Sequence, residues 1–334
     1  FLEMQVIQWL RKMIGYSDSE ELPENALQAG GIMTSGGTLA NTTALLVARC
    51  KTFPESRKQG LQTLNVKPIL IIAADTLYHY SHIAAFWWLG LGEENIVFVK
   101  ARTDFRLDCD DLDKKLTEYN NHVTSKVVAV VAQAGDSRTT TIEDFNKVVG
   151  ITKKHQVWLH VDACHGGVLL LSEKYRDNMQ GVEQANSISI DPHKGLGIPY
   201  PSSAVLFRDI KDCELISKST DITIQNGSSD LGQITPFSGS RAFDSLKLWF
   251  LIKHLGTKGI GDLVDYRYGL AEKWADGIKG SRFFEPLNEV KLNSVVFSIS
   301  PSKVLKNYRQ SLNSNNICNI NKLIHDIAYK EGYI

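Results

Sequence analysis

Short apolar runs alternate along this chain with segments whose apolar residues recur at helical spacing. Six of the runs predict β-strands, at 68–74, 95–100, 126–132, 157–162, 187–191 and 202–208. Helix-like segments lie between several of them, among them 110–119 and 142–155. Because strands that alternate with helices are joined by crossover connections, the pattern predicts an α/β protein with a mainly parallel central sheet flanked by helices.

Both ends of the chain carry further helical patterns. Residues 1–15 predict an amphipathic helix that ends at Gly15. Near the other end we predict helices at 243–255, 261–277 and 319–330, a strand at 291–300 and a polar loop at 311–316. We divide the chain into an N-terminal helical segment (1–27), a large domain (28–260), and a linker helix with the start of a smaller α+β domain (261–334). Because neither end is capped, we expect the sequence to be a fragment.

The composition is that of an ordinary globular protein, with 43% hydrophobic and 22% charged residues. Lysine plus arginine equal aspartate plus glutamate at 37 each, so no excess charge points to nucleic acid or an anionic membrane. The five cysteines are scattered without a C-x-x-C pair, which argues against a disulfide framework and favours a reducing, cytoplasmic location. No apolar run approaches the roughly 18 residues that a membrane span needs.

A glycine turn at 34–38 opens a helix-like stretch that runs to residue 49. The free N–H groups of a helix start, the close approach that Gly36 and Gly37 permit, and the hydroxyls of Ser35 and Thr38 would form an anion site. The expected anion is phosphate. A plain helix capped by serine or threonine explains the same residues. The glycines match neither G-x-x-x-x-G-K-[ST] nor G-x-G-x-x-G, which disfavours nucleotide hydrolysis and dinucleotide binding.

Asp162 falls at the carboxyl end of a predicted buried strand, where an unpaired carboxylate is costly to desolvate. It therefore needs a cationic partner, and two kinds remain open. One is a metal ion held together with His160, His165 and His193. The other is the protonated nitrogen of a heterocyclic cofactor. His160 by itself is expected to be a buried core histidine that hydrogen-bonds to the backbone.

Lys194 directly follows the predicted strand at 187–191. An amine at a strand end can form a Schiff base with an aldehyde once it has lost its proton. A phosphate site, a strand-end carboxylate and a strand-end lysine, in that order on one sheet, together suit pyridoxal 5′-phosphate. His79 is a candidate for stacking on a planar ligand, although solvated or capping histidines are more frequent. Cys164 is expected to pack as a small residue rather than act as a nucleophile.

Five motifs carry a family resemblance. They are TSGGTLAN at 34–41, HYSH at 79–82, HVDA at 160–163, DPHK at 191–194 and GSRAFDSLKLW at 239–249. With these motifs the chain resembles the group II pyridoxal-phosphate-dependent amino acid decarboxylases, a branch of the aspartate aminotransferase fold (fold type I). The resemblance runs from the first helix to the last residue. It implies a substantial stretch before Phe1 and most of the small domain after Ile334.

The resemblance also implies roles for individual residues. Lys194 would be the Schiff-base lysine, Asp162 the partner of the pyridine nitrogen and His79 the histidine stacked on the ring. His193 would contact the phosphate and assist proton transfer. The cofactor-binding set predicted in this way is Ser35, Gly36, Gly37, Thr38, His79, Asp162, Cys164, Asp191, His193 and Lys194, with no metal ligand.

The implied reaction is decarboxylation of an L-amino acid by a homodimer whose active sites are shared between subunits. The substrate amine would displace Lys194, the α-carboxylate would leave, and a proton would replace it. Two alternatives remain open. One is a pyridoxal-phosphate enzyme with another outcome, such as an aldehyde-forming oxidative decarboxylase, a lyase or an aminotransferase. The other is a non-catalytic relative that binds the cofactor or a partner subunit.

Two departures from the family pattern bear on these alternatives. The family usually has a Thr-x-Gly-Thr-Thr turn beside the cofactor, and this chain has Gln133, Asp136 and Ser137 in its place, which predicts different electrostatics near the ring. The segment 216–240 contains no tyrosine, where related decarboxylases carry a mobile loop with a proton-donating tyrosine. The small polar residues at 225–230 still predict a flexible loop. Asp191 stands where many relatives have asparagine.

Overall fold

The computed structural model describes residues 1–62, 65–72, 78–218, 228–234, 237, 239–308 and 311–332. The α-helices are α1 (Leu2–Ile14), α2 (Gly37–Thr52), α3 (Ser56–Gln59), α4 (Tyr80–Trp88), α5 (Cys109–Asn121), α6 (Phe145–Lys154), α7 (Pro192–Gly195), α8 (Asp244–Gly280), α9 (Pro301–Tyr308) and α10 (Ser314–Lys330). The strands are β1 (Gly31–Thr34), β2 (Lys67–Ile72), β3 (Ile96–Phe98), β4 (Ser125–Gln133), β5 (Leu159–Ala163), β6 (Ser187–Ile190), β7 (Ser203–Phe207), β8 (Phe284–Pro286) and β9 (Phe297–Ile299).

Seven strands form one sheet in the order β1-β7-β6-β5-β4-β2-β3. From β3 to β6 every neighbouring pair is parallel, and β7 is antiparallel to both β6 and β1. The predicted α/β class with a mainly parallel sheet is confirmed. All six predicted strands of this sheet are present within two residues of the expected bounds, and residues 73 and 74 of the first lie outside the described residues.

The register of the central strands brings three polar side chains to one edge of the sheet. Gln133, at the end of β4, pairs with Asp162 of β5, and Asp162 pairs in turn with Ser189 of β6. Parallel strands end at the same edge, so the loops that follow β4, β5 and β6 converge there. The apolar stretch before Gln133 is buried throughout, as expected for a strand covered on both faces.

Helix α1 begins the compact unit Phe1–Asp265. Its apolar face is buried, and it ends at Gly15, whose φ of 90° suits glycine. Buried Arg11 donates hydrogen bonds to the backbone carbonyls of Gly30 (3.0 Å) and Tyr16 (3.3 Å). These bonds tie the helix to the chain that enters β1.

The other compact unit, Tyr266–Ile334, contains the antiparallel pair β8–β9 with α9 and α10. The two helices predicted at 243–255 and 261–277 are both present as the two parts of α8, which meet at Gly256, where φ is 69° and ψ is 170°. The expected strand at 291–300 is confined to β9. The polar loop expected at 311–316 is wrong for its second half: Asn313 caps α10 and Asn316 completes a capping box, so the helix begins at Ser314. The segment boundaries proposed from sequence stay a prediction.

Candidate active site

One cavity of about 510 Å³ opens at the edge of the sheet where β4, β5 and β6 end. All ten residues of the predicted cofactor-binding set line it: Ser35, Gly36, Gly37, Thr38, His79, Asp162, Cys164, Asp191, His193 and Lys194. They come from the α2 turn, the start of α4, the end of β5 and the β6–α7 corner. The fold therefore brings together residues that lie up to about 160 positions apart in sequence.

The N-terminus of α2 faces this cavity without a side-chain cap. Gly36 is the N-cap residue, with φ 107°, and no side chain accepts a hydrogen bond from the first turn. The alternative of a plain helix capped by serine or threonine is therefore wrong. A Cβ atom on Gly37 would lie 2.5 Å from the Cys164 Sγ atom, so only glycine fits there. Uncapped N–H groups and the positive end of the helix dipole favour an anion at this point.

Asp162 presents a largely buried carboxylate to the cavity. Its Oδ2 atom lies 2.9 Å from both His82 Nε2 and Asn41 Nδ2, and its Oδ1 atom accepts the Cys164 N–H at 3.1 Å. Burial alone raises the pKa of Asp162, but the His82 and Cys164 hydrogen bonds outweigh it and hold that pKa well below its ordinary value. The carboxyl group is therefore ionised at neutral pH, and 11% of its side chain remains exposed.

His82 is one of the two side chains that lie 2.9 Å from Asp162 Oδ2. Its Nδ1 atom is buried and has no hydrogen-bond partner among the described residues. A bare nitrogen lone pair is less costly there than an unpaired N–H, so we assign the proton to Nε2, which donates to Asp162.

The metal-site alternative loses its first ligand because both ring nitrogens of His160 are occupied. Nδ1 lies 2.9 Å from the Ser187 hydroxyl and Nε2 lies 3.0 Å from Asn41 Oδ1. His160 is a buried core histidine, as expected, with a backbone contact at Ser187 beside the two side-chain contacts. Across the described ranges, no three His, Cys, Asp or Glu side chains are arranged to hold a metal ion.

Lys194 and Asp191 form an ion pair at the β6–α7 corner. The Lys194 Nζ atom lies 3.1 Å from Asp191 Oδ2, and His193 Nε2 lies 3.6 Å from the same oxygen. Burial lowers the pKa of Lys194, but acidic neighbours including Asp191 outweigh it and raise that pKa above its ordinary value. Asp191 Oδ1 is buried with no partner in the described part of the chain. The corner therefore holds a charged amine whose counter-ion is only partly satisfied.

His79 caps α4 and also lines the cavity, so the capping role and a ligand contact are compatible. Its Nδ1 atom accepts the Ser81 backbone N–H at 3.2 Å and lies 2.8 Å from the Ser81 hydroxyl. Burial lowers the pKa of His79 below its ordinary value. A neutral, fixed imidazole at the cavity wall is suited to contact a planar ring.

The turn after β4 supplies hydrogen-bond donors to Asp136. Asp136 accepts hydrogen bonds from the backbone N–H groups of Arg138 (2.8 Å), Thr139 (2.7 Å) and Thr141 (2.9 Å), and from the Thr139 hydroxyl. Both carboxylate oxygens are thus engaged within the turn, while Asp136 still lines the cavity, so the expected difference in electrostatics stays a prediction. Of the segment 216–240, residues 219–227, 235, 236 and 238 lie outside the described residues, including the first half of the expected loop at 225–230.

Four residues at the site escaped the sequence reasoning as individuals: Asn41, His82, Ser189 and Tyr200. The first two lie inside quoted motifs, and Ser189 shares a strand face with Ser187. Tyr200 carried no signal, yet it lines the cavity with its ring 4.0 Å from the ring of His193, centroid to centroid. A tyrosine is therefore present at the site although the segment 216–240 has none.

The residues present fit pyridoxal 5′-phosphate. The uncapped α2 terminus suits a phosphate, the ionised Asp162 suits a protonated ring nitrogen, and Lys194 offers an amine for the aldehyde. Together with the mainly parallel sheet, this arrangement defines a pyridoxal-phosphate protein of the α/β class.

The comparisons identify the family. The pyridoxal-dependent decarboxylase conserved domain matches residues 1–300, and the chain belongs to that family. It is 30% identical to the L-2,4-diaminobutyrate decarboxylase of Acinetobacter baumannii, over 94% of this chain and 62% of that protein. It is also 30% identical to the aspartate 1-decarboxylase of Aliivibrio fischeri, over 91% of this chain and 57% of that protein. The chain thus spans about three-fifths of the length of these curated relatives.

The fold is also shared with solved structures. The crystal structure of mouse CSAD superposes with a TM-score of 0.86 at 26% identity, covering 99% of this chain and 67% of that one. The resemblance drawn from the five motifs is confirmed at the level of family and fold.

Proposed function

We propose that the full-length protein is a pyridoxal-phosphate-dependent decarboxylase of an L-amino acid. One observation carries the proposal: an uncapped helix terminus, an ionised carboxylate and a lysine from three separate segments line the same cavity. Family membership supports the same reaction. When bound, pyridoxal phosphate supplies an electron sink for the negative charge that remains on the α-carbon after the carboxyl group leaves.

The residues of the chain would bind and orient. The α2 terminus holds the phosphate, with His193 beside it, and Lys194 attaches the cofactor covalently. Asp162 keeps the ring nitrogen protonated, and His79 contacts the ring face. A cofactor held by these residues would keep one orientation, so the substrate bond to be broken could be aligned with its electron sink.

Lys194 must give up a proton before it can react as an amine. Asp191 Oδ2, at 3.1 Å, is the nearest acceptor, and its buried Oδ1 has no partner among the described residues. We propose that Asp191 takes this proton as the cofactor is attached. The same transfer removes the charge of the buried Asp191 carboxylate, because both the amine and the carboxyl group end neutral.

We propose Tyr200 as the donor of the proton that replaces the carboxyl group. Its support is position: it lines the cavity and stacks beside His193, which is itself 3.6 Å from Asp191. Tyr200→Phe is expected to lower the rate of amine formation by about 10²-fold, the lower range for loss of a general acid, with little change in cofactor affinity. Product analysis by mass spectrometry together with a cofactor titration checks both parts. Unchanged turnover would exclude Tyr200, and aldehyde in place of amine would favour the oxidative outcome in this variant.

We also propose a homodimer in a reducing, cytoplasmic setting. The aromatic side chains Tyr80, Trp87 and Trp88 of α4 are each more than half exposed, and Tyr80 lines the cavity. An exposed aromatic surface beside a cavity supports a partner subunit that completes the site. All five cysteines are unpaired, which supports the reducing location. No helix in the described ranges has the length and apolar character needed to cross a bilayer.

The reaction is tested with the full-length protein, pyridoxal phosphate and a panel of L-amino acids. The expected products are CO₂ and the corresponding amine in equal amounts. According to their names, the two relatives act on amino acids of opposite side-chain charge. The panel must therefore include acidic and basic members, and aromatic ones as well. Keto acid or aldehyde in place of amine would contradict the proposal and support an aminotransferase or an oxidative enzyme. A cofactor spectrum that no amino acid changes would support a non-catalytic relative.

A further inference from the structure

A buried hydrogen-bond chain leads from Trp158, which directly precedes β5, to the Asp162 carboxylate. The Trp158 indole N–H lies 2.9 Å from the Ser187 hydroxyl, and Ser187 lies 2.9 Å from His160 Nδ1. His160 Nε2 lies 3.0 Å from Asn41 Oδ1, and Asn41 Nδ2 lies 2.9 Å from Asp162 Oδ2. The side chains between the two ends are buried.

In each hydrogen bond of this series, the donor and the acceptor are fixed. The ionised Asp162 carboxylate can only accept, so Asn41 donates its NH₂ group to it and the Asn41 oxygen must accept from His160 Nε2. Neutral His160 then has no proton on Nδ1, which accepts the Ser187 hydroxyl, while the Ser187 oxygen accepts the Trp158 indole N–H. The Ser189 hydroxyl lies 2.7 Å from the same Asn41 oxygen, so the amide oxygen receives two donors.

Asn41 therefore has a fixed amide orientation. Turning the amide over would set its NH₂ group against the donors of His160 and Ser189, and its oxygen against the Asp162 carboxylate. Each contact would become repulsive or unpaired in a buried site, where an unsatisfied polar group is costly. In the observed orientation the NH₂ group faces Asp162 Oδ2 and, at 3.0 Å, the Ser81 hydroxyl.

The second NH₂ contact extends the chain to His79. Ser81 accepts from Asn41, so its own hydrogen is available to His79 Nδ1 at 2.8 Å, where the Ser81 backbone N–H also donates. The proton of neutral His79 is then on Nε2. Asn41 is thus connected to both cofactor-facing groups, the carboxylate and the cavity histidine.

We propose that Trp158, Ser187 and His160 are positioning residues that lock the Asn41 amide and thereby hold Asp162 ionised toward the ring nitrogen of the cofactor. None of the three lines the cavity. The inference rests on the proposed use of pyridoxal phosphate, because Asp162 must have a ring nitrogen to face. It predicts that a change at His160, two side chains away from the cofactor, alters recognition of that single ring atom.

The test compares two ligands that differ at that atom. Pyridoxal 5′-phosphate and its analogue with C–H in place of the ring nitrogen are titrated into full-length wild type, His160→Leu and His160→Gln. Wild type is expected to prefer the natural cofactor. His160→Leu should lower this preference by about tenfold, the size expected for one buried hydrogen bond, and leave the affinity for the analogue nearly unchanged. His160→Gln, which can place an N–H near Nε2, should restore the preference.

If His160 had a merely structural role, His160→Leu would lower the affinity for both ligands equally. An unchanged preference for the natural cofactor in this variant would therefore overturn the proposal. If His160→Leu does not fold, Ser187→Ala takes its place, because it removes one hydroxyl from the same hydrogen-bond chain. It should lower the preference for the natural cofactor by a smaller factor, and an unchanged preference would again overturn the proposal. Failure of wild type to bind either compound would overturn the proposed function and this inference together. Binding with preference in wild type, without loss in the variants, would overturn the inference alone.

A second measurement needs no cofactor. In protein with ¹⁵N-labelled histidine, the His160 resonances, assigned by their absence from His160→Gln, should report a proton on Nε2 and none on Nδ1. Complete burial lowers the pKa of His160 to about 3, so this neutral form should persist from pH 5 to pH 8. A proton on Nδ1 would reverse the donor order and overturn the proposal.

Discussion

Lys194→Ala is expected to abolish covalent attachment of pyridoxal phosphate and to lower amine formation by roughly 10⁴-fold or more, as for loss of the nucleophile in other covalent enzymes. The amine can react with the cofactor aldehyde, and no other lysine is among the described residues that line the cavity. The expected spectrum after gel filtration shows no visible absorbance band from bound cofactor. Absorbance and amine yield, measured on the same sample, check the prediction.

Two further variants separate covalent chemistry from charge. Removing the Lys194 amine leaves Asp191 as a buried carboxylate without its ion-pair partner, which destabilises the corner by itself. Lys194→Arg keeps a cation beside Asp191 but cannot attach the cofactor, so it should lose the absorbance band while unfolding at a temperature closer to that of wild type. Lys58→Ala, at an exposed position on α3, should behave like wild type. A visible band retained by Lys194→Arg would place the covalent link at another amine.

The sheet was predictable because its signals are local. An apolar run of four to nine residues between helix-like segments specifies a buried strand without knowledge of its neighbours. The strand β1, Gly31–Thr34, was not predicted, because it has four residues and its partner β7 begins about 170 residues later. Only the packed sheet shows that this short segment forms an edge strand. The two parts of α8 show a similar limit. Both helices were predicted, but only the backbone conformation at Gly256 shows how one meets the other.

The groups that line the cavity were also predictable, since Lys194, Asp162 and the α2 turn each follow a strand or open a helix. Their environment was not. The Asp136 carboxylate was expected to change the electrostatics of the cavity. Its oxygens accept hydrogen bonds from backbone N–H groups that the turn supplies only when it is folded. Asn41 joins β5, β6 and α4 through its amide, and no spacing in the sequence indicates such a junction. Contacts of this kind depend on side-chain packing between distant segments.

Asp162→Asn is expected to lower amine formation by about 10²–10³-fold, the range for loss of one preorganised electrostatic group, while the cofactor remains attached through Lys194. The neutral amide cannot hold the ring nitrogen protonated, so the negative charge left on the α-carbon loses its sink. In the cofactor-free protein, an asparagine oxygen can still accept from His82 and Asn41, but its NH₂ group then faces the Cys164 N–H. One lost buried hydrogen bond predicts a destabilisation of about 1–3 kcal/mol.

The matched control is Asp212→Asn, which removes another buried carboxylate, paired with Lys51 at 2.8 Å and outside the cavity. It should lose comparable stability with amine formation close to wild type. Denaturant unfolding of the cofactor-free proteins and single-turnover amine formation by the loaded ones distinguish the two effects. If Asp162→Asn and Asp212→Asn lower turnover equally, the loss follows stability and not the ring nitrogen. If turnover falls only in Asp162→Asn, the carboxylate that His82, Asn41 and Cys164 keep ionised is the group that makes the bound cofactor reactive.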